Sequence, residues 1–262
     1  MMCGYNNASY CIASLESVLA QEYTNYHIIY TDDGSTDQST LLLESYLAGH
    51  PLQHKVTLIK NKARMGKLYN VYGAIHECND NDIVCMVDGD DTLASPDVLS
   101  FINKLYKNPE IWLTYGQDQP SSLVTAQKWH ISTIGTSRPT PADIIERNAF
   151  REYKTIYMHP RTFYAWLFKK IPLDALRAES IPGYEDELYP YCNDLAMMYP
   201  MLEMAGTHIY FNDKVLYTYN LENPINGFKV ARPLQKLCAQ EIRRKKRFAP
   251  LKTPSDTPSY LI

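Results

Sequence analysis

Two short acidic segments carry the residues best suited to chemistry in this 262-residue chain. Asp88, Asp90 and Asp91 directly follow an apolar run that ends at Val87, and the segment Asp32 to Asp37 follows another such run. Carboxylates placed this close together repel one another, so a fold must balance them with a cation or with protonation. Their hard oxygen atoms suit Mg²⁺ or Mn²⁺. The pattern therefore indicates a divalent metal site, where the metal would also neutralise a bound nucleoside diphosphate.

The segment from Asp88 to Leu93 also fits a second chemistry. Asp88, Asp90 and Thr92 form a D-x-D-x-T pattern that resembles the haloacid-dehalogenase-like phosphatases, whose first Asp is a phosphorylated nucleophile and whose second is a general acid. That family requires the motif on the first strand of its domain. Here residues 1–87 come first and carry an acidic turn of their own, which the phosphatase hypothesis leaves unexplained.

The first half of the chain alternates apolar runs with segments of helical period. Ile12, Leu15, Val18 and Leu19 form one helical stripe, and Ser95 to Asp97 provides a helix cap followed by a second stripe. Strands are predicted over residues 26–31, 55–60, 82–87 and 111–116. Such strands imply a mostly parallel sheet covered on both faces, with ligands bound at the carboxyl ends of the strands. If the strands that end at the two acidic segments are neighbours, the carboxylates share one edge of the sheet.

The second half of the chain is less regular. Residues 118–148, rich in Ser, Thr and Pro, predict a long loop region that contacts substrate. Helices are predicted over residues 161–171 and 192–206, strands over 208–212 and 214–220, and a basic helix after Arg232 followed by a disordered tail. The second of these helices contains Pro200, which predicts a kink or a break.

Charge and cysteine content restrict the class of protein. The chain has 26 basic and 29 acidic residues, which gives no nucleic-acid-binding signature. Between Lys229 and Lys252 there are nine Lys or Arg residues, which predict a solvated helix face or weak attachment to an anionic membrane surface. The six scattered cysteines, without a secretory signal, predict reduced thiols and a cytoplasmic location. No apolar stretch is long enough for a spanning helix.

Three segments together resemble the family 2 glycosyltransferases, enzymes of the GT-A fold. Residues 5–39, YNNASYCIASLESVLAQEYTNYHIIYTDDGSTDQS, are similar to that family's N-terminal signature. MVDGDDTLASP at 86–96 resembles its D-x-D metal segment, and NKARMGKLYNVYGAI at 61–75 resembles the segment between them. The resemblance is dense over residues 5–96 and thinner to about 229. It implies an α/β nucleotide-sugar-binding fold with a mostly parallel central sheet, flanking helices and a C-terminal acceptor-side part.

The resemblance also implies roles for individual residues. Asp33 would contact the uracil ring of a UDP-sugar with the help of Tyr5, while Asp32 would lie beside it and Asp88 would approach the ribose or the metal. Asp90 and Asp91 would bind Mn²⁺ or Mg²⁺ together with the diphosphate. Arg64 and Lys67 flank Gly66 in a loop, where their charges meet a phosphate or sugar, or else simply face solvent.

A general base is implied for the second half of the chain. Family members carry an acidic residue about a dozen positions before an Ala-Gly turn, which nominates Asp194 ahead of Ala205-Gly206. The neighbour that is often Glu in the family is Asn193 here, and the segment Glu185 to Glu187 offers competing carboxylates. The implied reaction is a single inverting displacement in which Asp194 deprotonates the acceptor hydroxyl. His159 and Arg161 are weaker candidates for contact with acceptor or diphosphate.

The predicted organisation has three parts. Residues 1–117 form the donor-binding half, residues 118–228 the acceptor half of the same domain, and residues 229–262 a basic helix with a flexible tail. Only four residues precede Tyr5, where the family has a longer strand, so a catalytically weak or inactive domain that binds a nucleotide sugar or a partner stands as the alternative. The sequence specifies neither the sugar nor the acceptor, whether glycan, lipid-linked or protein.

Overall fold

The computed structural model describes residues 1–128, 137–153, 155 and 157–261. Within them, one sheet contains β1 (Met2–Gly4), β2 (Ile28–Asp32), β3 (Val56–Lys60), β4 (Ile83–Asp88), β5 (Thr92–Leu93), β6 (Leu113–Pro120), β7 (Met158–Tyr164) and β8 (Ile209–Tyr219). The strand order is β3-β2-β1-β4-β7-β6-β8-β5. β1 to β4, β6 and β8 point the same way, whereas β7 and β5 run antiparallel to their neighbours. The predicted mostly parallel sheet flanked by helices is confirmed.

The helices pack on both faces of this sheet. They are α1 (Cys11–Leu19), α2 (Ser39–Leu47), α3 (Lys67–His76), α4 (Val98–Leu105), α5 (Leu123–Lys128), α6 (Ala142–Glu146), α7 (Ala165–Lys169), α8 (Asn193–Ala205), α9 (Gly227–Val230) and α10 (Arg232–Arg244). Short 3₁₀ turns occupy Gln53–Lys55 and Leu173–Leu176. Because side chains alternate along β4, Val84 and Met86 join the core with α3, α7 and α8, while Val87 joins the core with α1 and α4.

The three-residue strand β1 lies in the middle of the sheet, between β2 and β4. The backbone N–H of Asp33 donates to Gly4 O over 2.8 Å, and that of Gly89 donates to Cys3 O over 2.9 Å. A Cβ on Gly89 would lie 2.8 Å from Cys3 O, so this close approach requires glycine. The two acidic segments therefore flank β1 at one edge of the sheet, one strand apart rather than adjacent.

Two elements of the second half differ from the predictions. The helix predicted over 161–171 is restricted to α7, because Arg161 to Tyr164 belong to β7 and pair with β4 and β6. This segment is buried on both sides, so its apolar pattern does not distinguish a strand from a helix. The two strands predicted around residue 213 form one strand, β8, whose pairing with β6 shifts register twice. Of the predicted loop at 118–148, residues 129–136 lie outside the described part.

The C-terminal residues pack against the body of the protein instead of forming a flexible tail. Phe248 is buried, and the backbone N–H of Leu251 donates to Met204 O of α8 over 2.9 Å. The Pro, Ser and Thr content that predicted disorder surrounds these apolar anchors. The boundary predicted between residues 117 and 118 falls inside β6, so the two halves share one sheet. In the described part of the chain, no helix has the length and apolarity needed to cross a bilayer.

Candidate functional site

The first acidic turn holds its loop together through buried carboxylates. Asp32, 2% exposed, accepts hydrogen bonds from the hydroxyls of Ser35 and Thr40. Asp33, 3% exposed, accepts from the backbone N–H groups of Met65 (2.8 Å) and Gly66 (3.0 Å). It also accepts from the side-chain amide of Asn61. Asp33 therefore fixes the loop that leads into α3, and any contact with a ligand would use a lone pair not taken by these donors.

Two cations, Arg64 in that loop and Lys67 directly after it, contact residues of the predicted donor site. The guanidinium of Arg64 lies 4.1 Å from the centre of the Tyr5 ring, a cation–π contact. Lys67, at the first position of α3, forms an ion pair with Asp88 at the end of β4. Burial acts to raise the pKa of Asp88, but Lys67 outweighs it and holds that pKa well below its ordinary value. The structure thus brings Lys67 and Asp88 into direct contact.

The other two carboxylates of this cluster are held by the segment that follows β8. Asp90 accepts a hydrogen bond from the side-chain amide of Asn223 over 2.6 Å. Asp91, 1% exposed, accepts from the Tyr217 hydroxyl over 2.8 Å and from the Asn220 N–H over 2.7 Å. Both oxygens of Asp91 are therefore engaged inside the protein, whereas Asp90 also lines a cavity of about 290 Å³.

The acidic cluster carries more negative charge than its described protein partners balance. Burial, followed by repulsion from Asp88, raises the pKa of Asp90. Burial, followed by repulsion from Asp90 and Asp88, raises the pKa of Asp91 well above its ordinary value. In the described residues no three His, Cys, Asp or Glu side chains converge as a complete ligand set. A cation here would take one or two carboxylates and complete its shell with ligand or water oxygens, as Mg²⁺ commonly does.

Asp194 lies in the first turn of α8, and its side chain is one-third exposed. Its carboxylate is 3.3 Å from Nη2 of Arg161, a buried residue of β7. The competing segment Glu185 to Glu187 is exposed in a turn that precedes α8. Among these candidate bases, Asp194 forms an ion pair with a buried residue of β7, Arg161.

Two residues that the sequence interpretation missed lie near the acidic cluster. The Tyr217 hydroxyl accepts from the backbone N–H of Asp88 over 2.9 Å while donating to Asp91, so it fixes the acidic turn. Asp118 of β6, 4% exposed, pairs in register with Tyr217, and burial raises its pKa to about 6. A tyrosine in a strand and a lone acid beside a predicted loop carry no recognisable pattern, so the sequence offered no signal for either.

The comparison with known families distinguishes between the two enzyme classes that the sequence patterns resemble. The sequence model of the family described as Glycosyl transferase family 2 matches residues 1–173. The chain belongs to this family. The resemblance found in the sequence is confirmed, and the fourth-strand position of the D-x-D-x-T segment agrees with a family 2 glycosyltransferase rather than with a phosphatase.

Two curated relatives of this glycosyltransferase family member are bacterial. An uncharacterized glycosyltransferase of Haemophilus influenzae is 28% identical over 111 residues, which cover 42% of this chain and 33% of the relative. EpsE of Bacillus subtilis, named as a candidate glycosyltransferase, is 30% identical over 106 residues, 39% of this chain and 34% of EpsE. The match thus spans about a third of the length of each relative.

Solved structures share the fold at low sequence identity. Residues 1–349 of TarS from Staphylococcus aureus, in complex with UDP, match with a TM-score of 0.54 and 16% identity over 89% of this chain and 63% of that one. Glucosyl-3-phosphoglycerate synthase of Mycobacterium tuberculosis, with Mn²⁺ and UDP, gives 0.55 and 11% over 94% and 82%. The mannosyltransferase PcManGT of Pyrobaculum calidifontis, with GDP-Man and Mn²⁺, gives 0.53 and 16% over 83% and 55%. These matches confirm the GT-A fold.

Proposed function

We propose that this protein transfers a sugar from a UDP-sugar to an acceptor hydroxyl, with inversion at the anomeric carbon. The observation that carries the proposal is the placement of two acidic turns on either side of β1, with Lys67 between them on α3. That edge of a parallel sheet is where ligands bind in open α/β folds. Family membership supports nucleotide-sugar transfer in general. Two of the matched structures are complexes with UDP and a third is a complex with GDP-Man, so the nucleotide itself needs a test.

The donor would lie against the first acidic turn and the loop pinned by Asp33. The Tyr5 ring has a face on which a uracil would stack. In the free protein Arg64 covers this face. Arg64 and Lys67 supply positive charge for the diphosphate, and Asp32 keeps the turn in place through its hydroxyl partners. Arrival of the diphosphate gives Lys67 a second anionic partner besides Asp88, and this competition makes the Lys67–Asp88 pair part of the donor site.

Asp90 and Asp88 are proposed to hold Mn²⁺ or Mg²⁺, because carboxylate oxygens suit a divalent cation and the acidic cluster as a whole carries more negative charge than Lys67 balances. When bound, the metal would act as a Lewis acid on the diphosphate of the donor. Asp91 was predicted to be a ligand as well, and it stays a candidate. Its two internal hydrogen bonds, from Tyr217 and Asn220, support a second role, in which Asp91 anchors the end of β8 and the residue that follows it to the acidic turn.

Asp194 is proposed as the general base. One carboxylate oxygen accepts the proton of the acceptor hydroxyl, the hydroxyl oxygen forms a bond to the anomeric carbon, and the bond from that carbon to the diphosphate breaks. The leaving diphosphate carries the electron pair of the broken bond. Arg161 keeps its guanidinium beside this carboxylate. The acceptor is a glycan, a lipid-linked sugar or a protein, and nucleic acid is not expected.

The outward face of α10 is proposed as a site of peripheral membrane contact. Arg232, Lys236, Arg243 and Arg244 are all exposed, together with Leu237, and this face carries no acidic residue. Glu241, the acid of this helix, instead accepts hydrogen bonds from Ser180 and Tyr189. Basic side chains of this kind are attracted to anionic lipid by about 1 kcal/mol each near the surface. This face would bring a cytoplasmic enzyme to lipid-linked acceptors.

The experiment that tests the proposal is thermal unfolding with UDP, GDP or ADP, each with and without Mn²⁺. A ligand at about 100 times its Kd stabilises a protein by about 2.7 kcal/mol, which moves the Tm of a domain of this size by about 5–10 °C. We expect this shift with UDP and Mn²⁺ together. Absence of a shift with every nucleotide would contradict the proposal, and an equal shift with GDP would contradict the choice of UDP.

Two matched variants separate the roles of the acids. Asp90→Asn should remove the Mn²⁺-dependent UDP shift while leaving the Tm of the free protein nearly unchanged. Asp91→Asn should lower the Tm of the free protein, because asparagine cannot accept from both Tyr217 and Asn220. Asp194→Asn should retain the UDP shift and abolish transfer. If that variant is fully active, Asp194 is not the base.

A further inference from the structure

A buried arginine connects the candidate base to the acidic cluster. The Arg161 side chain is 8% exposed, and all three of its nitrogen atoms have partners. Nε donates to Tyr157 O over 2.6 Å, Nη1 contacts His159 Nε2 at 2.8 Å, and Nη2 donates to Asp194 Oδ2 over 3.3 Å. A buried guanidinium is costly unless it is paired, so these contacts determine where Arg161 lies.

The contact between Arg161 and His159 fixes the tautomer of the histidine. A guanidinium can only donate, so Nε2 of His159 must be the acceptor. Nδ1 then carries the proton and donates to Met86 O of β4 over 3.2 Å. Burial, followed by the positive charge of Arg161, lowers the pKa of His159 well below its ordinary value, and the ring is neutral. His159 thus acts as a rigid bridge between β7 and the strand that leads into Asp88.

The path continues from the histidine ring to the acidic turn. The His159 ring stacks on the Tyr217 ring with centroids 4.3 Å apart and planes 17° from parallel. The Tyr217 hydroxyl in turn bonds the Asp88 N–H and the Asp91 carboxylate. These contacts are buried or partly buried, and they connect Arg161 to Asp194 at one end and to the acidic turn at the other, so a displacement of Arg161 would be transmitted at both ends.

We propose that Arg161 is the positioning residue of the base Asp194, holding its carboxylate at a fixed place relative to the acidic turn. This inference rests on the proposed function, because it assumes that Asp194 is the base. Arg161 acts through Asp194 and not by binding the donor, since its nitrogens are already engaged and its side chain is almost fully covered. The distance between base and anomeric carbon is then set by β7, and not by α8 alone.

The test measures kcat and KM for release of UDP from UDP-glucose and UDP-N-acetylglucosamine in Mn²⁺, with water as the acceptor. Displacement of a catalytic group by about 1 Å can cost about a hundredfold in rate. We therefore expect Arg161→Gln to lower kcat by about a hundredfold and to leave KM and the UDP-dependent Tm shift within about twofold. Arg161→Lys, which keeps the charge but has one nitrogen, should recover part of the loss. Arg147→Gln is the matched control, since Arg147 forms an exposed ion pair with Asp143 and should not affect either constant.

The outcomes separate this inference from the proposed function. If Asp194→Asn is inactive but a folded Arg161→Gln keeps its kcat, the positioning role is refuted and the base assignment survives. A rise in KM with unchanged kcat would also refute it, because Arg161 would then bind donor directly. If Arg161→Gln does not fold, Arg161→Lys decides, and wild-type kcat in that variant refutes the positioning role, because a lysine cannot contact Asp194, His159 and Tyr157 at once as the three guanidinium nitrogens do. Full activity of Asp194→Asn would refute the base assignment itself.

Discussion

Replacement of Glu203 tests how much the contacts of the C-terminal helix contribute to the stability of the protein. Glu203 of α8 and Arg151 form a buried pair whose side chains are 0% and 3% exposed, with oxygen–nitrogen distances of 2.5 and 2.8 Å. Glu203 also accepts from the Phe248 N–H, and Arg151 donates to Ile242 O of α10. One carboxylate thus joins α8, the turn before β7 and the C-terminal segment.

Glu203→Gln should cost about 3–5 kcal/mol, because it leaves the Arg151 charge buried without an opposite charge. At about 2–4 °C per kcal/mol, the Tm should fall by about 6–20 °C. The measurement is thermal unfolding together with urea titration of the purified protein. Glu152→Gln is the control, since its pair with Arg247 is exposed and should contribute less than about 1 kcal/mol. A double replacement, Arg151→Met with Glu203→Leu, should recover most of the loss.

The result that would refute this reasoning is a Glu203→Gln protein within about 1 kcal/mol of the wild type. Solvent would then reach Arg151, and residues 245–261 would separate from the body of the protein more readily than their buried contacts imply.

Three further variants test individual contacts of the site. Tyr217→Phe removes the hydroxyl that serves Asp88 N–H and Asp91, and should destabilise the free protein by about 1–3 kcal/mol in thermal unfolding; an unchanged Tm would contradict this role. Asp118→Asn should stabilise the protein at pH 7 by about 1–3 kcal/mol but have no such effect at pH 4. The reason is that a folded pKa of about 6, above the unfolded value, favours the fold at low pH and loses that contribution as the pH rises through 6. Equal effects of Asp118→Asn at both pH values would disprove the raised pKa of Asp118. Lys67→Gln should weaken UDP binding in the Mn²⁺-dependent Tm assay; unchanged affinity would remove Lys67 from the donor site.

Local sequence determined much of the donor half. The donor half alternates apolar strands that end in acidic residues with amphipathic helices. Side chains repeat every two residues in a strand and every 3.6 residues in a helix, so the sequence pattern indicates both elements and the packing of helices on both faces of the sheet. The helix stripe from Ile12 to Leu19 and the run before Asp88 therefore predicted α1 and β4 correctly. Gly34 turns the chain after β2 with a positive φ, and Gly89 approaches Cys3 O of β1 closely.

The second half depended on contacts that the sequence does not encode locally. Arg161 to Tyr164 form a strand because β4 and β6 offer edges on both sides, and a segment buried on both faces has no period that separates strand from helix. The C-terminal segment looked disordered by composition, yet Phe248 and Leu251 anchor it in apolar surface supplied by distant residues.

The sequence alone therefore determined that the two acidic segments follow apolar strands, because the apolar run of a strand and the residues at its end are local properties. Tertiary structure decided which groups those acids contact. Asp91 accepts hydrogen bonds from Tyr217 and Asn220, Lys67 forms an ion pair with Asp88, and Arg161 forms an ion pair with Asp194. Each of these contacts joins residues that are distant in the chain, so the local sequence pattern does not specify them.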